Sequence, residues 1–311
     1  MVLLWVGIDP KTPADREKLG VGLQRLIAAD AALAVRTDHD GTTKVGADTQ
    51  ERLEVALHRL AREFGVEARI TGLEIAYKET LTRAAFGECK YARQSGGRGQ
   101  YGHVRIEVRP GAASSGFVFD NAIVGGAIPA EFIEPIAEGL REACSRGVLA
   151  GYPIEDVYVR LYDGSYHDVD SSADAFKIAG AVAFADAAKK AQPVLLEPIM
   201  QVLLIVPDEH ESRAEAILSA RRGVLVSARS SSDWTSVWAA IPLSETFGLE
   251  ADLSQRTEGR GLCHLRFMHY APAALADDDG DRDTPVREPK HPRTPPLILR
   301  ASVPEPPPDF E

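Results

Sequence analysis

The residue types most capable of chemistry fall in two polar segments that are well separated along the chain. The first, residues 94–103, contains the string Gly97-Arg98-Gly99-Gln100-Tyr101-Gly102. This string satisfies the G-x-G-x-x-G pattern of dinucleotide-binding loops, which functions only between a strand and a helix whose N-terminus receives the pyrophosphate. Here the residues that follow alternate between polar and apolar side chains, which is typical of a strand and not of the required helix. Two interpretations remain: a flexible hairpin tip, or a loop that lets Arg98 and Tyr101 approach a phosphate backbone and stack on bases.

The second polar segment, residues 163–172, carries His167 and the pair Asp168 and Asp170. A calcium loop that started at Asp168 would need glycine at its sixth position and glutamate at its twelfth, and both positions are alanine. An aspartyl-phosphate site would follow directly on an apolar strand, whereas polar residues intervene here. His167 has no fixed serine or cysteine partner for nucleophilic catalysis. We therefore predict neither a metal site nor a catalytic site in this segment.

The chain also lacks sequence signals for nucleotide phosphates and disulfides. No G-x-x-x-x-G-K-[ST] string occurs, so no P-loop is expected. Its three cysteines are widely spaced and form no C-x-x-C pair, which favours a reducing compartment. The apolar run at 2–8 is too short to cross a bilayer and is typical of a strand. We expect a cytoplasmic protein that does not enter a membrane.

The formal net charge of −11 speaks against uniform nucleic-acid binding, but the charge is unevenly distributed. Lysine and arginine exceed the acids over residues 76–110, which include the first polar segment. Residues 272–311 hold nine acids against five bases, and ten of the chain's twenty prolines. Such a composition cannot bury enough apolar surface to offset its ordering entropy. We predict that residues 272–311 form a disordered tail.

The elements before the first polar segment predict a ferredoxin-like fold over residues 1–72, because strands and helices follow the split βαβ order. Helices are indicated by apolar residues at the helical period, and strands by short apolar runs. The predicted elements are a strand at 2–8, a helix beginning at Thr12 or Asp15, a hairpin of strands at 33–36 and 42–45 around a turn at 38–41, a helix that Gly65 ends, and a strand at 66–70.

Residues 73–192 carry both polar segments and predict a domain with strands first and two helices last. In the strand at 101–110, Val104, Ile106 and Val108 face one way. A helix after Pro129 ends at Gly147, and a strand follows at 157–161. The pair of Ser171 and Asp174 predicts a capping box for a long, alanine-rich helix that can approach a sheet closely. The two polar segments should then lie as neighbouring loops at one end of this domain.

Residues 193–271 repeat the small α+β pattern. The predicted elements are strands at 200–206, 224–228, 236–241 and 263–267, a helix at 209–220 and a short helix at 243–247.

Together these segments resemble the C-terminal half of bacterial elongation factor G, its domains III, IV and V, from about Val6 to Tyr270. Residues 94–104 resemble the first tip loop of the family's domain IV, and 149–153 with 161–172 its second tip loop and approach. Residues 196–200, 221–223 and 257–261 resemble domain V, and 8–12 with Asp15 resemble the start of domain III. The resemblance implies an α+β fold with two ferredoxin-like α/β sandwich domains, 1–72 and 193–271, flanking a ribosomal-protein-S5-like βα domain, 73–192.

The resemblance also implies a function. In the family, domain IV is inserted into the ribosomal decoding site during translocation and contacts the tRNA–mRNA duplex. We therefore expect a monomeric, ribosome-binding part of a translation factor that promotes translocation or ribosome recycling. The expected partners are ribosomal RNA and the tRNA–mRNA duplex. The expected decoding-site contacts are Ser95, Gly96, Gly97, Arg98, Gly99, Gln100, Tyr101, Gly102, His103, Ser165, Tyr166, His167 and Asp168. The expected ribosomal RNA contacts of the last domain are Arg221, Arg222 and Arg260.

The sequence departs from the family where domain III usually carries Gly-Met-Gly-Glu-Leu-His-Leu-Glu. Residues 47–54 keep only Leu53 and Glu54 of that pattern. In the family this segment lies near the GTPase domain, so the departure bears on coupling to GTP hydrolysis. We expect no cofactor in this chain, although the full-length family uses GTP and Mg²⁺. The alternative function is a GTPase-less regulatory or ribosomal-protection protein that occupies the factor site.

Overall fold

The structure, a computed structural model, describes residues 1–38, 41–94, 99–273 and 298–299. Its internal contacts form two compact units, one that contains Met1–Ala76 with Pro198–His269 and another that contains Tyr77–Glu197. Both units combine helices with mainly antiparallel sheets, so the predicted α+β class is confirmed. No helix among these residues is long and apolar enough to span a bilayer.

The N-terminal part of the first unit has the predicted βαββαβ order. Thr12 caps the first helix by accepting a hydrogen bond from the Asp15 amide, and Gly65 ends the second in a left-handed conformation with φ 62°. The elements are β1 (Leu4–Pro10), α1 (Pro13–Ala29), β2 (Ala34–Thr37), β3 (Thr43–Ala47), α2 (Gln50–Phe64), β4 (Ala68–Ile75) and β14 (Ile298–Leu299). Their sheet has the order β14-β4-β1-β3-β2. Two residues of the predicted hairpin turn, His39 and Asp40, lie outside the described residues.

A second βαββαβ set contributes Pro198–His269 to the first unit, and the first residues of β10 and the last residues of β13 belong to the second unit. Its elements are β10 (Pro193–Pro207), α5 (Glu211–Ser219), β11 (Val224–Ser231), β12 (Trp234–Pro242), α6 (Leu249–Arg256) and β13 (Leu262–Pro272). The sheet order is β11-β12-β10-β13. The helix predicted at 243–247 is a three-residue 3-10 turn, Leu243–Glu245, and α6, which the sequence did not predict, follows it. Helix α6 buries only Leu249 and Leu253, so its apolar period is too short to recognise.

The second unit is built on a four-stranded sheet. Its elements are β5 (Lys78–Leu81), β6 (Ala85–Arg93), β7 (Gln100–Pro110), β8 (Phe117–Asn121), α3 (Ile133–Arg146), β9 (Val157–Ser165) and α4 (Ala173–Lys190). The sheet order is β6-β7-β9-β8, and β5 pairs with the first residues of β10. Helix α4 packs on β6 and β7, and α3 packs beside α4. The predicted inward face of β7 is confirmed, because Val104, Ile106 and Val108 are fully buried.

Small residues allow α4 to lie directly on the sheet. The alanines that the sequence placed on one stripe of this helix, Ala175, Ala179, Ala183 and Ala187, are fully buried. A Cβ atom added at Gly87 on β6 would lie 2.1 Å from the carbonyl oxygen of Ala183, and one at Gly102 on β7 would lie 2.8 Å from that of Ala175. Both glycines are therefore required by close approach of the helix backbone.

The start of α4 and the end of the chain differ from the sequence predictions. The predicted cap at Ser171 is wrong, because Ser172 caps α4 by accepting from the Ala175 amide, and Ser171 instead accepts from the His167 amide. The predicted tail falls outside the described residues except at its start, where β13 reaches Pro272, and at β14, which pairs antiparallel with β4.

Candidate nucleic-acid interface

Strand order brings the two polar segments to one end of the second unit. β7 pairs antiparallel with both β6 and β9, so the loop that joins β6 to β7 and the loop that leaves β9 emerge at the same edge. The registers place Arg93 opposite Gln100, and His103 opposite Ser165. The predicted proximity of the two loops follows from this pairing. Of the predicted contact residues, Ser95, Gly96, Gly97 and Arg98 lie outside the described residues.

Asp170 connects the two loops. Its Oδ1 atom accepts a hydrogen bond from the Gly99 amide at 3.1 Å, and its carbonyl oxygen accepts from the Tyr101 amide at 2.8 Å. A Cβ atom at Gly99 would lie 2.8 Å from the Asp170 carboxyl carbon, so a side chain at position 99 would displace this carboxylate. We call Gly99, Tyr101, His167 and Asp170 the tip cluster.

His167 is the exposed member of the tip cluster, with 54% of its side chain accessible. Its Nδ1 atom accepts from the amides of Val169 at 3.3 Å and Asp170 at 3.2 Å. Its ring lies 6.3 Å from the Tyr101 ring, centroid to centroid, at a tilt of 52°. The neighbouring Tyr166 and Asp168 are also exposed. The segment therefore presents an imidazole, a phenol and a carboxylate to solvent on a backbone that is held in place.

A chain of hydrogen bonds supports the tip cluster from the sheet. The hydroxyl of Tyr101 lies 2.8 Å from Ser165 Oγ, which lies 2.9 Å from His103 Nδ1. His103 Nε2 lies 2.8 Å from Glu88 Oε1. Hydrogen bonds from Arg105 and then His103 hold the pKa of the Glu88 carboxyl below its usual range. Ser165 and His103, predicted as RNA contacts, therefore also orient Tyr101.

Gln100 and Gly102 have structural contacts beside this chain. The Tyr91 hydroxyl donates to Gln100 Oε1 at 3.4 Å, and Gly102 lies under the backbone of α4. Gly102 is buried, so it serves packing and is not itself a surface for a ligand.

A third loop, residues 122–128, lies near the same end and was not predicted. The Ala122 amide donates to the carbonyl oxygen of Leu161 on β9, and Ile128 packs against Gly164. Between them, Val124 is 83% exposed. The following residues, Gly125 and Gly126, have φ of 68° and 74°. The Gly-Gly pair was the available signal for this turn.

The three arginines predicted to contact ribosomal RNA all have intramolecular partners. Arg221 donates to the carbonyl oxygens of Glu245 and Phe247, at 2.8 and 2.9 Å, so it fixes the turn between β12 and α6. Arg222 pairs with the Glu245 carboxylate at 3.1 Å, and Arg260 pairs with Glu209 at 2.6 Å. Their contact with RNA stays a prediction.

Among the described residues, no group of three or more metal-binding side chains occurs. Burial raises the pKa of the Cys144 thiol to about 12 and that of Cys263 to about 11, so neither thiol forms the thiolate that a nucleophile needs. The arrangement at the tip cluster is suited to hydrogen bonding and stacking.

Comparison with known proteins gives consecutive matches along the chain. Family models for elongation factor G match it as domain III over residues 2–72, domain IV over 73–192 and the C-terminus over 194–279. Among solved structures, the crystal structure of ttk003000868 from Thermus thermophilus is similar, with 36% sequence identity and a TM-score of 0.65. The match covers 86% of this chain and 40% of that one, so this chain spans less than half the length of that relative.

Proposed function

Because the chain belongs to the elongation factor G family, we propose that it is the ribosome-binding part of a translation factor that promotes movement of tRNA and mRNA through the decoding site. GTP hydrolysis would be supplied by another part of the factor. Domain IV would enter the decoding site with the tip cluster at its leading end. The cluster would contact RNA there and would catalyse no reaction.

The observation that carries this proposal is the construction of the tip cluster. Asp170 joins two loops that would otherwise be independent, and His167 projects from the joined backbone into solvent. RNA that is not in a regular duplex is recognised by stacking on aromatic rings and by hydrogen bonds to exposed edges. A fixed imidazole beside a tyrosine ring offers both kinds of contact in one place.

The test is co-sedimentation of the purified chain with 70S ribosomes that carry tRNA and mRNA. We expect association that weakens with added salt, and further weakening in the His167→Ala and Arg98→Ala variants. His58→Ala is the matched control, because His58 is an exposed histidine on α2, in the other unit. Absence of co-sedimentation, or equal binding by the wild type and the two tip variants, would refute the proposal.

A second candidate function is occupation of the factor site without GTP-driven turnover. It is motivated by residues 47–54, which depart from the family pattern. The described contacts at this start of α2 are made with residues of the same domain. Thr49 caps this helix, and Arg52 pairs with Asp30 at 2.6 Å and with Asp48 at 2.8 Å. Under this alternative, adding the chain to a translating extract would slow elongation, whereas an unaffected rate would count against it.

A further inference from the structure

We propose that the backbone around Asp170 fixes the proton of His167 on Nε2, so that the exposed nitrogen of the tip is always a hydrogen-bond donor. Its partner would be an acceptor atom of RNA. The identity of the partner rests on the proposed function, whereas the position of the proton rests on the geometry of this chain alone.

Two hydrogen bonds set the position of the proton in the neutral ring. The Val169 and Asp170 amides point at His167 Nδ1, at 3.3 and 3.2 Å. A backbone N–H can only donate, so Nδ1 must offer its lone pair. In a neutral imidazole one nitrogen accepts and the other carries the proton. The neutral ring therefore carries its proton on Nε2, which is the nitrogen that these two amides do not contact.

The protonated ring presents the same polarity at Nε2. The Asp170 Oδ2 atom lies 3.5 Å from His167 Nδ1 and faces the proton that Nδ1 carries in the imidazolium form. In the imidazolium form both nitrogens carry protons. Nε2 is then a donor in the neutral and in the charged state, and the polarity that it presents to a ligand does not change with protonation.

Asp170 acts as a positioning residue for this donor. One residue supplies the amide to His167, the carbonyl to Tyr101 and the carboxylate to Gly99. These contacts fix the backbone that holds the imidazole, and they also join it to the first loop. Asp170 therefore acts on RNA through His167, and we expect it to make no contact with RNA itself.

The chemistry of the ligand follows from the donor. RNA offers acceptors at phosphate oxygens, at the ribose 2′-hydroxyl and at base edges. Because His167 Nε2 is a donor, it disfavours a second donor, such as the exocyclic amine of a base, at the position that it contacts. The neighbouring Tyr101 ring lies beside the imidazole, so the donor is directed from a small aromatic surface.

The proton position is tested by long-range ¹H–¹⁵N correlation spectra of the ¹⁵N-labelled full chain. We expect His167 Nδ1 to resonate as an unprotonated nitrogen and Nε2 as a protonated one at alkaline pH. Asp170→Ala and Asp170→Asn both keep the two backbone amides that set the tautomer, so we expect both variants to carry the proton on Nε2 as the wild type does. A wild-type spectrum in which Nδ1 carries the proton would overturn the proposal.

The donor role is tested on ribosomes with two replacements of His167. The amide nitrogen of glutamine reaches about as far as Nε2, whereas that of asparagine reaches only as far as Nδ1. One lost hydrogen bond of about 1.4 kcal/mol weakens binding about tenfold. We expect His167→Gln to bind nearly as the wild type does, and His167→Asn to bind about tenfold more weakly.

The two tests fail in different ways. If Asn matches the wild type and Gln does not, or if both lose binding equally, the donor role is refuted even where the spectra place the proton on Nε2. If the wild-type chain does not bind ribosomes, the proposed function fails and the spectra still decide the tautomer.

Discussion

Replacing Glu79 should destabilise the unit that carries the tip cluster. Glu79 lies on β5 and is fully buried. Its carboxylate accepts four backbone hydrogen bonds from the loop after α3. Oε2 accepts from Val148 at 2.8 Å and Leu149 at 3.0 Å, and Oε1 accepts from Ala150 at 2.8 Å and Tyr152 at 3.1 Å. One side chain therefore satisfies most of the donors of a tightly turned loop.

The size of the effect follows from those four donors. Each buried N–H that loses its partner costs about 1–3 kcal/mol, but removal of the carboxylate also removes its own desolvation penalty. For Glu79→Ala we expect a loss of about 3–5 kcal/mol in the free energy of unfolding. Glu79→Gln keeps one acceptor oxygen and turns its amide group toward two N–H donors, so we expect about 2–4 kcal/mol.

The assay is urea unfolding with hydrogen exchange of the β7 amides as the probe of this unit. All three tryptophans, at 5, 234 and 238, lie in the other unit, so their fluorescence gives an internal control that should not change. Glu155→Gln is the matched variant, since the Glu155 side chain is 44% exposed and pairs with the partly buried Lys78. It removes one carboxylate charge without leaving buried N–H donors unpaired, so we expect a smaller cost of about 1 kcal/mol. If Glu79→Gln and Glu155→Gln cost the same, the reasoning is refuted.

Two further predictions concern packing and pH. Gly87→Ala should lower the free energy of unfolding of the second unit by about 1–3 kcal/mol, because its Cβ would meet the Ala183 carbonyl oxygen. As the control, a Cβ at Gly72 meets no atom within 4 Å, so Gly72→Ala should cost under about 0.5 kcal/mol. Equal costs would contradict the close approach of α4. The hydroxyl of Thr12 lowers the pKa of Asp15, so the stability that Asp15 adds is present above its unfolded pKa of about 3.9 and is lost as the pH falls through the folded value. Asp15→Asn should therefore destabilise the first unit at pH 7, as followed by tryptophan fluorescence, and the difference from the wild type should shrink toward pH 3; a constant difference would exclude a role for the carboxylate charge.

Local patterns were sufficient for most of the elements and for the place of the two polar loops, although they missed α6. The strict alternation around Ile106 identified β7, and Gly65 identified the end of α2, because both signals depend only on near neighbours in sequence. The proximity of the two polar loops could be predicted as well. It requires only that the β6–β7 hairpin and the C-terminal end of the antiparallel strand beside it lie at the same end of the sheet.

The contacts that join the loops could not be predicted, because they depend on register across distant segments. The bond between Gly99 and Asp170 spans 71 positions, and the neighbouring β7–β9 pairing shifts register between Arg105 and Ile106. Such a shift moves side chains to new partners without leaving a mark in the sequence. The same limit applies to Glu79, which looks like an exposed strand residue until the loop after α3 is placed around it.

The salt bridges of the structure change what the basic residues of the sequence imply about RNA binding. Arg105 in the basic segment pairs with Glu88 and Asp163, and Arg221 in the last domain pairs with Asp252. Each phosphate that a protein neutralises adds about 0.7–0.9 to the salt slope of binding. Cations already paired within the chain contribute less to that slope, so the salt dependence of binding to RNA should be smaller than the number of basic residues suggests. Recognition would then rest on short-range donors such as His167 Nε2. For this reason the choice between glutamine and asparagine at that position is a more demanding test than the loss of any one basic residue.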